Sequence, residues 1–185
     1  AVLSSPLLPA DAAFSETENG LFSPVSALCQ TQYGPVKGRE GENGQLSWYG
    51  IPYGAAPTGE SRWTAPQEPA RWHTVRDCTS PAPAAYQYTT FPLGTEDCLT
   101  LDIYSSAEAK KRPVLVYLHG SAATGSSLEL PGCELVRDAG CVFVALNYRL
   151  GLFGWNCLPA LTADPDVTGN FALLDIARAL DWVRD

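Results

Sequence analysis

Apolar and polar positions divide the chain into two textures that meet near residue 110. Through residues 1–30 the apolar positions follow no period, and Pro6, Pro9 and Pro24 interrupt them, which predicts an N-terminal arm on the surface. From Thr31 onward, short runs rich in Val, Leu, Trp and Tyr sit between glycines. Two of them, 34–38 and 45–53, have the spacing of a small antiparallel ribbon. Residues 57–69 read as loop, with Trp63 and then Trp72 as anchors. Over 99–104 the pattern alternates, with Leu99, Leu101 and Ile103 on one face and Thr100 and Asp102 on the other, as in a half-buried strand.

Past a short basic run at 110–112, residues 114–118 are continuously apolar, the pattern of a strand covered on both faces. Residues 126–138 predict a weak helix interrupted by Pro131 and ending near Gly140. Residues 141–147 predict a second buried strand opened by Cys141, and 151–168 a long loop with Pro159 and Pro165. The best helix is 170–184, with Thr168 or Asn170 suited to cap it. Its stripe is Leu173, Ile176, Ala177, Leu180 and Val183, with Asp175, Arg178 and Asp181 on the other side. The order is a β-rich opening, then strand, helix, strand, loop and helix, which begins an α/β sheet. Such a helix after a buried strand is expected to cross over to another parallel strand. The sequence stops at Asp185, where that strand comes next, so the chain is expected to be part of a domain.

Composition narrows the function. Apolar residues are 45% of the chain, enough for a core and too many for disorder. Twelve Lys and Arg against 20 Asp and Glu give a net charge of −8, which argues against nucleic acid and against an anionic membrane surface. No run approaches the roughly 18 apolar residues of a membrane span. The chain begins at Ala1 and holds no Met, which fits a processed N-terminus or a removed tag. Six cysteines are many for a reducing cytosol and predict a secreted or periplasmic protein. None forms a Cys-x-x-Cys pair and only two His exist, which argues against zinc. Cys78 and Cys98 bracket the turn-rich loop 79–97. A disulfide there closes about 20 residues and stabilises by about 3 kcal/mol in the chain-entropy picture; two free thiols is the other reading.

The candidate chemistry follows the first buried strand. His119-Gly120 is succeeded by Ser121, Ala122, Ala123, Thr124 and Gly125. Small residues there let backbone N–H groups approach a ligand closely; an ordinary strand-to-helix turn is the alternative.

Six stretches carry a more specific signal: Gly50-Ile51-Pro52-Tyr53; Arg62-Trp63 with Ala65-Pro66; Glu96-Asp97-Cys98-Leu99; Pro113 through Gly120; Asn147-Tyr148-Arg149-Leu150-Gly151; and Gly169-Asn170-Phe171-Ala172-Leu173-Leu174-Asp175. In this order and spacing the chain resembles the N-terminal third of a type-B carboxylesterase, of the cholinesterase-like family. The resemblance covers about 31–185. It implies the N-terminal portion of an α/β-hydrolase fold, with a small antiparallel opening ribbon and then the start of the main mixed sheet and its helices. It also implies hydrolysis of a small-molecule carboxylic ester through an acyl-enzyme, by a serine triad that needs no metal or organic cofactor. No Gly-x-Ser-x-Gly occurs in these 185 residues. The resemblance places that elbow, and the acid and His, in the C-terminal remainder of the hydrolase, a partner expected as a second chain.

By the same resemblance, the oxyanion loop maps onto Gly120, Ser121 and Ala122, departing from the family's His-Gly-Gly-Gly. Side chains at 121 and 122 keep the N–H groups but crowd the acyl group and strain any position with positive φ. Two expectations stay open: a working site of altered shape, or a non-catalytic binding or adhesion module. The resemblance further implies a Cys78–Cys98 disulfide, a buried Arg149–Asp175 ion pair, and an ion pair between Glu96 and an arginine of the opening region, for which Arg39 is the candidate. The pairing of Cys29, Cys133, Cys141 and Cys157 is not implied. The loop 79–97 carries Tyr86, Tyr88 and Phe91 but lacks the Trp that binds choline in cholinesterases; loop anchoring is the preferred role for these aromatics, with cation–π contact second.

Overall fold

The computed structural model describes residues 27–41, 44–107, 112–130, 132–161 and 169–185. The expected arm up to residue 26, the lysines at 110–111, Pro131, Pro165 and the Thr168 cap lie outside the described residues.

Three short strands, β1 (Leu28–Gln30), β2 (Pro35–Lys37) and β5 (Arg76–Asp77), form one small sheet in the order β1-β2-β5. The main sheet contains β3 (Arg39–Glu40), β4 (Gln45–Pro52), β8 (Thr100–Ser106), β9 (Val114–Tyr117) and β10 (Val142–Leu146), ordered β3-β4-β8-β10-β9. A two-stranded hairpin, β6 (Gln87–Tyr88) with β7 (Pro92–Leu93), stands apart. Only the β9–β10 pairing in the main sheet is parallel, and α1 (Gly132–Ala139) connects its two strands. A short α2 (Gly151–Gly154) and the long α3 (Phe171–Arg184) follow.

The two-residue period sorts the core into two layers. Phe143 and Ala145 of β10 join Tyr104, Tyr49 and Val136 on the α1 face, while Val144 and Leu146 join Leu101, Ile103, Trp48 and Ile51 on the α3 face. A bulge in β4 between Trp48 and Ile51 corrects the register there. Gly50 sits in it at φ 66, the left-handed backbone that such a bulge assigns to glycine.

Four expectations change. Runs 34–38 and 45–53 do not form one ribbon: the first becomes β2 in the small sheet, and the second pairs with β3 and β8 in the main one. The strand over 99–104 is buried on both faces, because β4 and β10 flank β8 and its polar Asp102 finds partners inside. Conversely, the run 114–118 is not covered on both faces. Val114 and Leu115 are 42% and 46% exposed, since β9 is an edge strand among the described residues. The expected stripe of α3 divides: Leu173 is 52% and Leu180 45% exposed, whereas Ile176 and Val183 pack against the core. The helix instead buries Phe171, Ala172, Asp175, Ala179 and Trp182. Arg178 is drawn inward too, its guanidinium donating to the Tyr53 carbonyl at 3.3 Å and to the Tyr33 hydroxyl.

Candidate active-site loop

Strand β9 delivers the chain to His119 at the C-terminal end of a parallel pair, the edge of an α/β sheet where ligands bind. Next to it, just past β10, stands Tyr148. The two rings stack at 4.2 Å with planes 5° apart, and the Tyr148 hydroxyl donates to the His119 carbonyl at 2.6 Å. His119 is buried, and burial pushes its pKa below the ordinary 6.5. Its ring is therefore a neutral wedge fixing the start of the loop.

The loop then turns sharply. Ser121 has φ 72, a left-handed conformation that costs a non-glycine residue roughly 1 kcal/mol or more. Its hydroxyl offsets part of that cost by accepting from the N–H groups of Ala123 at 3.1 Å and Thr124 at 3.3 Å. The Ala122 carbonyl accepts from the Gly151 N–H at 2.7 Å, which ties the loop to the start of α2. Gly125 lies against the imidazole, where a Cβ would come within 2.2 Å of Nδ1, so no larger residue fits. Among the described residues, nothing accepts a hydrogen bond from the N–H of Ser121 or Ala122.

Behind the loop is a buried polar network. Ser127 donates its hydroxyl to Asp102 Oδ2 at 2.7 Å and its N–H to Asn147 Oδ1 at 2.9 Å. Asp102 Oδ1 accepts from the Gly50 N–H at 2.8 Å. Burial raises the Asp102 pKa, against these two hydrogen bonds. Gln87, in the hairpin, is buried and bonds to both sides of Gly125. Sequence reasoning missed Gln87, Ser127, Asp102 and Tyr148 as supports; Asn147-Tyr148 stood in a quoted motif, but nothing local marked Gln87.

Arg149 and Asp175 form a buried two-pronged pair, Nη2 to Oδ1 at 2.7 Å and Nε to Oδ2 at 2.9 Å. Arg149 also donates from Nη1 to the Thr64 carbonyl and lies 5.1 Å from the Phe171 ring centroid. Glu96 corrects the expectation of Arg39 as partner: it pairs with Arg62 through bonds of 2.5 and 2.7 Å, while Arg39 lies over the Tyr49 ring. The Arg62 guanidinium also flanks Trp63 and Phe153, whose rings stack 6.1 Å apart, with Tyr86 edge-on to Phe153. Tyr86 therefore anchors its loop, but Tyr88 and Phe91 are exposed. The implied Cys78–Cys98 disulfide is not shown: both stand as free thiols buried in the core, packing as small apolar side chains. Burial pushes the Cys78 thiol up to about 11 and raises Cys98 as well, which keeps both protonated.

The model of the carboxylesterase family matches residues 25–185. The chain belongs to the carboxylesterase family. It is 39% identical over 170 residues to the para-nitrobenzyl esterase of Bacillus subtilis (strain 168), covering 85% of this chain and 34% of that protein. It is 38% identical over 154 residues to carboxylesterase 3B of Mus musculus, covering 73% of this chain and 26% of that one. Among solved structures, the Geobacillus stearothermophilus carboxylesterase EST55 superposes with a TM-score of 0.78 at 37% identity, over 85% of this chain and 34% of that chain. The chain therefore spans about a quarter to a third of the length of these relatives, and its architecture is a partial α/β-hydrolase fold. No described helix is long and apolar enough to cross a membrane.

The neutral His119 carries a pH signature. Its folded pKa lies below 6.5, so the unfolded state takes up a proton first as pH falls, and stability declines from about pH 6.5 down to the folded pKa. The Gly120 carbonyl and Glu129 act in the opposite direction but do not overcome the desolvation, and the titratable Tyr148 stacks on the ring. Thermal melts of the full-length protein between pH 7.5 and 5 are expected to fall more steeply than those of the His119→Gln variant. Parallel slopes would refute the assignment.

Proposed function

We propose that this chain supplies the oxyanion side of a serine carboxylesterase whose nucleophile, base and acid come from polypeptide beyond these 185 residues. The observation that carries the reading is the pair of N–H groups at Ser121 and Ala122 that no acceptor among the described residues takes up, at the C-terminal end of β9 in a chain of this family. The left-handed backbone at Ser121 supports it, because a glycine-like turn is kept although the residue is not glycine. The absence of Gly-x-Ser-x-Gly from the sequence and the one-third coverage of the relatives agree with a nucleophile supplied elsewhere. Two apolar surfaces, the outer edge of β9 and the Leu173–Leu180 side of α3, suit burial under that remainder.

In the proposed reaction the serine oxygen bonds to the ester carbonyl carbon while its proton passes to a histidine. The carbonyl oxygen becomes an oxyanion and receives the N–H groups of Ser121 and Ala122, with Gly120 leaving room in front. The tetrahedral intermediate collapses by breaking the ester C–O bond, and the histidine returns the proton to the departing alcohol. Water then repeats the sequence on the acyl-enzyme and releases the acid. The Cβ atoms at 121 and 122 narrow the acyl side of the site and favour short acyl groups.

The test is full-length protein with p-nitrophenyl acetate and butyrate, together with labelling by a fluorophosphonate. A burst of p-nitrophenol followed by steady turnover, and labelling of one serine outside these residues, is the expected result. A folded protein that neither turns over nor labels would establish the non-catalytic module instead.

A further inference from the structure

Gln87 belongs to no part of the proposed chemistry, yet its side chain joins the hairpin to the loop that would hold the oxyanion. Its Nε2 donates to the Gly125 carbonyl at 2.8 Å and to the Ala85 carbonyl at 3.1 Å, and its Oε1 accepts from the Gly125 N–H at 2.9 Å. One buried primary amide thus satisfies both backbone groups of one glycine 38 residues away, as a neighbouring strand would, and uses both its own donors. The hairpin holds it in place: β6 pairs with β7 at Gln87 and Leu93, and Tyr86 N–H bonds to the Thr95 carbonyl. On its other side Gly125 lies against the His119 imidazole, where a Cβ would come within 2.2 Å of Nδ1. One residue upstream, Thr124 is bonded through its N–H to the Ser121 hydroxyl, so a shift at Gly125 passes through that turn to the two open N–H groups at 121 and 122.

We infer that Gln87 is a positioning residue for the oxyanion loop: its amide sets the position of Gly125 and, through the Thr124–Ser121 bond, the aim of the Ser121 and Ala122 N–H groups. This inference rests on the esterase reading of the loop. It acts on the transition state rather than on substrate binding, because the donors meet full charge only once the carbonyl oxygen has become an oxyanion. A misplacement of about 1 Å in such a loop lowers the rate by up to roughly 100-fold.

Two substitutions separate positioning from simple packing. Gln87→Leu keeps the bulk and leaves both groups of Gly125 unpaired. Gln87→Glu keeps an acceptor for the Gly125 N–H but sets a carboxylate against the carbonyls of Gly125 and Ala85. Only its protonated form restores a donor. In full-length protein, Gln87→Leu is expected to lower kcat about 10- to 100-fold with KM within about threefold, and to weaken a trifluoromethyl ketone, which forms an oxyanion with the serine, in the same proportion. For Gln87→Glu, activity relative to the parent at each pH is expected to recover as pH falls, a reversible change within one folded protein that tolerates failure of the Leu variant to fold. Parental kcat in a folded Gln87→Leu protein overturns the inference while leaving the esterase reading standing. So does a flat pH ratio for Gln87→Glu. A parent that turns over no ester overturns both.

Discussion

Replacing Asp175 by Ala in the full-length protein is expected to remove about 3–5 kcal/mol of stability, the cost of leaving a buried charge without its partner. The reason is geometric. Arg149 and Asp175 have side chains 2% and 0% exposed, so water cannot take over the lost bonds. The truncation leaves the guanidinium with the Thr64 carbonyl and the Phe171 ring, and it also strips the Arg149 N–H of its 3.1 Å bond to Asp175 Oδ2. The double variant Arg149→Met, Asp175→Leu removes the charge along with its partner and is expected to lose markedly less than the single one, retaining chiefly the penalty of about 1–3 kcal/mol for the orphaned Arg149 N–H. Denaturant midpoints of the three proteins decide the matter. A single variant within about 1 kcal/mol of the parent would mean that the pair carries no such strain. The location of the pair gives the loss a functional side: it joins the segment after β10, which contains Gly151 and so holds Ala122, to helix α3.

The second large effect is chemical rather than structural. Ala122→Pro deletes one of the two open donors and disfavours the left-handed Ser121 before it. Loss of a single oxyanion donor costs about 10²–10³ in kcat, or roughly 2.7–4 kcal/mol of barrier. The segment is exposed, so the melting temperature is expected to change little beside that loss. A folded Ala122→Pro protein within about fivefold of parental kcat would remove Ala122 from the oxyanion hole and require another donor.

Both effects arise where local pattern and tertiary packing diverge. Asp175 occupies the polar side of a helix whose apolar stripe is regular, and that periodicity alone directs it to solvent. Its burial depends on Arg149, 26 residues earlier, which carries an opposite charge into the same dry space. Asp102 was assigned outward by alternation in the same way and is held inward by a backbone N–H at Gly50 and a hydroxyl at Ser127. The Gly50 N–H is free to turn toward it because the bulge lifts that residue out of the ladder with β8. Glu96 shows the converse. Its need for an arginine was legible, but Arg62 and Arg39 are equivalent in charge, and only the path of the intervening loop decides between them.

Local pattern by itself determined the elements that depend on near neighbours: the alternation of β8, the five-residue run of β10, the helix ending before Gly140 and the 14-residue α3. The ordered motifs also determined the family, because each one places particular residue types at fixed separations. Tertiary structure alone decided which face each element buries, why β9 is an edge, and that one amide in a distant hairpin clasps Gly125. These outcomes turn on contacts between residues tens of positions apart. A periodic pattern states how apolar surface is distributed around an element, but the free energy of burying one face is realised only against whatever surface the rest of the chain presents to it.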